Sequence, residues 1–161
     1  MFKKISMILI AILCTITLFP QTSNAMTRPF EKEVIIEKLD NGDYYETVIE
    51  TDCNAITFAA TNSITKTKTT YFKNSAGAVQ WSVSIRATFS YNGSTATCTS
   101  CSHSTTSPGT NWSISSASSK RSGNSATATA TAIAVQKRDD GTTKSSAKSV
   151  TIKCSPTGVV S

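Results

Sequence analysis

The stretch Val79-Gln-Trp-Ser-Val-Ser-Ile-Arg-Ala-Thr-Phe-Ser-Tyr91 decides the fold. Val79, Trp81, Val83, Ile85, Ala87, Phe89 and Tyr91 occupy every second position, and Gln80, Ser82, Ser84, Arg86, Thr88 and Ser90 fill the gaps. Side chains alternate across a strand, so this spacing describes a long β-strand buried on one face. A helix would need its apolar positions three and four apart. Asn92-Gly93 follows at once, and this pair tolerates the positive φ of a tight hairpin turn.

Outward from this strand the chain reads as strand after strand. Upstream, Ser75-Ala-Gly77 is a turn, and Ile64–Lys73 alternates Thr65, Thr67, Thr69 and Tyr71 with Lys66 and Lys68. A cationic face discourages pairing with another chain, which predicts an edge strand there. Downstream come Thr95–Ser100, a turn at Ser107-Pro-Gly109, and a short strand beginning at Trp112 and Ile114. Ser115–Ser125 reads as a loop. Ala126–Val135 alternates Ala with Thr, Ile and Val, and Asp139-Asp-Gly141 makes a hairpin to Ser149–Cys154. Cys154 shares parity with Val150 and Ile152, so it is expected in the core. At the other end, Glu33–Leu39, Asn41-Gly42 and Tyr44–Glu50 form a separate hairpin.

About seven strands after residue 60, with turns every 8–15 residues, predict an all-β chain. The expected fold is an antiparallel β-sandwich, immunoglobulin-like in architecture, preceded by a β-hairpin. The immunoglobulin family signature itself is not met. Cys53 and Trp81 are 28 residues apart, and Tyr91 lies seven residues before Cys98; both spacings are too long.

The chain has 161 residues and a single histidine, His103. Lys3 and Lys4, an apolar run from Ile5 to Phe19, Pro20 and the small-residue site Ser23-Asn24-Ala25 follow the secretory leader pattern. Residues 1–25 are therefore expected to be removed and the product to be secreted. The apolar run falls short of the roughly 20 residues that span a bilayer, and no transmembrane segment is expected after cleavage. Residues 26–53 hold three basic and eight acidic residues, whereas 54–161 hold eleven basic and two acidic. That asymmetry divides the mature chain into an acidic hairpin segment (26–53), a connector (54–63) and a basic sandwich domain (64–161). The acidic segment either docks on the basic body or serves as a propeptide that neutralises it until cut.

Cys53, Cys98, Cys101 and Cys154 make an even set outside the leader, which in a secreted chain reads as two disulfides. Three connectivities are open, and Cys98–Cys154 with Cys53–Cys101 is the expected one. Each would close a loop of about 50 residues, contributing about 3–4 kcal/mol by chain entropy. Cys98-Thr-Ser-Cys101 lacks the helix start that a redox dithiol wants, and a zinc site would want a second close pair.

Catalysis finds little to work with. There is one His, no Gly-x-Ser-x-Gly elbow, and after Asp52 only the adjacent Asp139 and Asp140. No enzyme, metal or cofactor is expected. Lys66, Lys68, Tyr71, Lys73, Lys120, Arg121, Lys137 and Arg138 are the candidate binding surface. A nucleic-acid groove would interleave cations with exposed aromatics, and this pattern is too sparse for one. An anionic cell-wall polymer or membrane surface is the expected partner.

The leader, "LDNGDYYET", "VQWSVSIRATFSYNGSTATC" and the closing "VTIKCSPTG" resemble small secreted proteins of Gram-positive, clostridia-type bacteria, themselves uncharacterised. The resemblance implies export and a β-sandwich body, and assigns no active residues.

Overall fold

The computed structural model describes residues 33–51, 62–122 and 125–161. Its eight strands are β1 (Glu33–Lys38), β2 (Tyr44–Thr51), β3 (Asn62–Lys73), β4 (Val79–Tyr91), β5 (Ala96–Thr106), β6 (Trp112–Arg121), β7 (Thr127–Lys137) and β8 (Thr143–Lys153). They form two antiparallel sheets, β1-β2-β3-β4-β5 and β6-β7-β8. The expected two-layer sandwich is present, with six strands after residue 60 rather than about seven. Each strand pairs with its sequence neighbour, so both sheets are meanders, and the immunoglobulin likeness ends at the architecture.

The core lies where β4 meets β7. Trp81, Val83, Ile85, Ala87 and Phe89 are buried on one side, and Ala128, Ala130, Ala132 and Ala134 on the other. Large residues on β4 thus face a floor of methyl groups on β7, which lets the sheets approach closely and fill the space between them. Burying each large side chain contributes about 1.5–3 kcal/mol. One end is closed by rings: Phe72 lies 5.3 Å from Tyr45 and 5.2 Å from Trp112. Trp81 lies 6.4 Å from Trp112, so two aromatics of the first sheet, Phe72 and Trp81, meet one of the second. The opposite end holds Cys98, Cys154 and Val160. There the ring of Tyr91 sits where a Cβ on Gly158 (φ +85°) would be, 2.4 Å from Cζ. Only glycine fits that turn.

Three sequence expectations are corrected. First, the lysine-bearing strand is not an edge. β3 lies between β2 and β4, and β2 pairs with it over eight residues from Tyr44↔Lys73 to Thr51↔Lys66. Phe72 and Ile64 set its inward parity, so Lys66 and Lys68 point to the inner face, level with Ala87 and Ile85 of β4. They remain half-buried because β1 and β2 extend past β8, leaving a route along which lysine stems run to solvent. Second, Ser115–Arg121 is strand. Ala117 and Ser119 face Ala132 and Ala130 across the β6–β7 pair after a bulge at Ile114/Ser116, and the small side chains suit a close approach to β7. Third, Cys98, Cys101 and Cys154 are free thiols. The expected Cys98–Cys154 bridge is not formed, although Cys154 does face the core as its parity required. Cys53, and with it the Cys53–Cys101 pairing, lies outside the described residues.

Candidate functional site

The second sheet converts sequence composition into a surface. Its strands carry Lys120, Arg121, Lys137, Lys144, Lys148 and Lys153 and not one Asp or Glu. Because the alanines of β7 face inward, Thr127, Thr129, Thr131, Ile133, Val135 and Lys137 face out. Register extends this face sideways: Lys120 and Thr151 flank Thr129, Ser118 and Ser149 flank Thr131, and Lys153 lies opposite Thr127. Hydroxyls link across it, Thr129 Oγ1 to Thr151 Oγ1 at 3.0 Å and Thr131 Oγ1 to Ser149 Oγ at 2.8 Å. Such cross-strand pairs each contribute about 0.2–1 kcal/mol.

Lys120, Lys137 and Lys153 are exposed, and none is ion-paired among the described residues. Strand spacings put Lys120 and Lys153 about 10 Å apart across the sheet and about 7 Å apart along it. Lys137 lies eight residues further along β7 than the Lys120 position, about 27 Å away. Between these cations lie the hydroxyls of Ser118, Thr129, Thr131 and Ser149, followed toward Lys137 by the apolar Ile133 and Val135. The arrangement suits a linear anion with charges at intervals.

The remaining sequence candidates are dispersed. Lys66 and Lys68 point inward from β3, and burial lowers the pKa of Lys68 while Glu33 opposes that shift. Tyr71 and Lys73 lie on the outer face of the first sheet. Lys73 Nζ is 2.8 Å from Glu46 Oε2 and 5.9 Å from the Tyr71 ring centroid, so its charge is already engaged. Arg121 donates from Nη1 to the carbonyl oxygens of Cys98, at 3.1 Å, and Thr99; it clasps β6 to β5. Arg138 opens the exposed β7–β8 turn. Of the eight, Lys120, Lys137 and the adjacent Arg138 belong to the second sheet's side, whereas Tyr71 and Lys73 lie on the outer face of the first. Lys153 was missed, yet its parity with Ser149 and Thr151 marks it as outward.

His103 Nδ1 lies 3.0 Å from Ser119 Oγ across the β5–β6 edge. A nucleophile–base pair needs a third group to orient the base. The acidic residues of β1 and β2 stand beyond β3 and β4, and Asp139 and Asp140 sit in the β7–β8 turn. The described residues contain no cluster of three or more His, Cys, Asp or Glu suited to a metal ion, and no helix long and apolar enough to cross a membrane. Compared with known proteins, the chain matches no protein-family model, no curated protein and no solved structure.

Proposed function

We propose that this chain is a secreted, non-catalytic binding protein that acts at or near the cell envelope, where the outer face of its second sheet holds a linear anionic polymer. One observation carries the reading: three exposed, unpaired lysines frame a sheet face that carries hydroxyls beside Lys120 and Lys153, in strands without a single carboxylate. Phosphate or carboxylate groups spaced along a polymer would meet cations at both ends and hydroxyl donors between. The secretory pattern of residues 1–25 supports an extracellular setting. The alternative, an effector released from an acidic pro-segment, would require stripping β2 from β3. That strand buries Tyr45, Val48 and Ile49, which favours a retained hairpin.

The test is binding of fluorescently labelled long-chain inorganic polyphosphate, followed by polarisation. Binding at low ionic strength should vanish near 1 M salt, where the screening length is about 3 Å. The double variant K120E/K153E should weaken it at least about tenfold, about 1.4 kcal/mol. Absence of binding, or an unchanged affinity in the variant, overturns the proposal. Vesicles containing phosphatidylglycerol form a second arm, and preference for them would move the partner from polymer to lipid.

A further inference from the structure

β1 is the edge of the first sheet, and its residues Glu33-Val-Ile-Ile-Glu-Lys38 are all exposed. Val34, Ile35 and Ile36 keep 45%, 50% and 56% of their surface accessible. Three consecutive apolar residues put apolar groups on both faces of a strand, which a half-wet edge does not need. Among the described residues, nothing pairs with the outward edge of β1.

The other edges are guarded. β5 is closed by β6 through the Arg121 hydrogen bonds and the His103–Ser119 contact. β8 carries the exposed Lys144 on its inner face, and an inward lysine blocks strand addition. β1 has no inward lysine; its inward charges are the acids Glu33 and Glu37. Its two inner carboxylates are met from within the chain, Glu37 by Lys148 Nζ at 2.6 Å and Glu33 by the charge of Lys68. The strand therefore offers apolar side chains and free backbone groups with its own acids already balanced.

We infer that β1 is a self-association edge, pairing antiparallel with β1 of a second copy of this chain. A two-fold axis perpendicular to the sheet keeps inner side chains opposite inner ones, so residues of equal parity must face each other. An axis through Ile35 would set Glu33 against Glu37 of the other copy. An axis through Ile36 sets Ile36 against Ile36, Val34 against Lys38 and Ile35 against Glu37, with no like charges opposed. The second register is the one selected. It joins two five-stranded sheets into one of ten strands, and the perpendicular axis puts both second sheets on the same side. Six residues of added strand make a small interface, so the dimer is concentration-dependent rather than permanent.

The experiment is sedimentation velocity of the full chain over a hundredfold concentration range reaching about 1 mM, where even a weak pair fills. The unsubstituted chain should shift from monomer to dimer, and Ile36→Lys should stay monomeric with unchanged near-ultraviolet dichroism. Ile133→Lys, an exposed position on the other sheet, should dimerise normally. A chain that stays monomeric throughout overturns the inference, as does an Ile36→Lys variant that dimerises equally. Oxidative cross-linking reads the register: above the background of the unsubstituted chain, Ile36→Cys should couple to itself faster than Ile35→Cys. The reverse order overturns the assigned pairing.

Discussion

Lys148 of β8 reaches across to Glu37 of β1, Nζ to Oε2 at 2.6 Å, while the same ammonium lies 4.1 Å over the ring of Tyr45. The two residues are 111 positions apart, and the contact ties the acidic hairpin to the basic second sheet. Ser146 strengthens the tie through a 2.9 Å hydrogen bond to Tyr45 Oη. The hairpin thus contacts both sheets. β2 supplies main-chain pairing to β3, and β8 supplies a cation over the hairpin's aromatic ring.

Loss of this cation should loosen the hairpin modestly. Glu37 is mostly solvent-exposed, so the ion pair itself adds at most about 0.5 kcal/mol, and the cation–π contact about 0.5–2 kcal/mol. Lys148→Ala is expected to destabilise by about 1–2 kcal/mol, and Glu37→Gln by about 0.5 kcal/mol or less, in urea unfolding. Equal effects would show that the ring contact contributes nothing.

Lys68 makes a pH prediction with a definite sign. Its folded pKa is depressed by burial, so the folded chain binds its proton less readily than the unfolded chain. The charge is a burden below the folded pKa, and the burden lifts as pH rises toward the ordinary lysine value. Lys68→Met should therefore be more stable than the parent at neutral pH. The difference should shrink between neutral pH and about pH 10. A gap that is constant or widens over that range contradicts the assignment.

The thiols should separate by reactivity. Cys98 and Cys154 are buried, and burial raises the pKa of each, while Cys101 is half-exposed. The thiolate is the reacting form. Iodoacetamide should label Cys101 in the folded protein and reach Cys98 and Cys154 only on unfolding, without added reductant. Peptide mass mapping reads each site. Labelling of the buried pair that requires a reductant would mean that they are bonded to each other in solution.

Much of the fold is legible in local sequence because its determinants are local. Trp81 to Phe89 alternate, Gly42, Gly77, Gly93 and Gly141 take positive φ at the turns where Asn, Asp and Gly cluster, and Ala128–Ala134 share a parity. Which strand lies beside which is not a local property. Lys66 and Lys68 carry an edge signature, yet β3 is interior because β2 buries Tyr45 and Ile49 beside it. Serine tolerates strand and loop alike, so Ser115–Arg121 became a strand only through its pairing with β7.

The basic surface divides in the same way. Sequence by itself determined that cations outnumber acids after residue 53. Tertiary structure decided which cations remain available. Lys73 finds Glu46, Lys148 finds Glu37, and Arg121 finds two carbonyls of β5. Coulombic and hydrogen-bond partners act over a few ångströms of space, and strand pairing brings together residues that the chain keeps far apart.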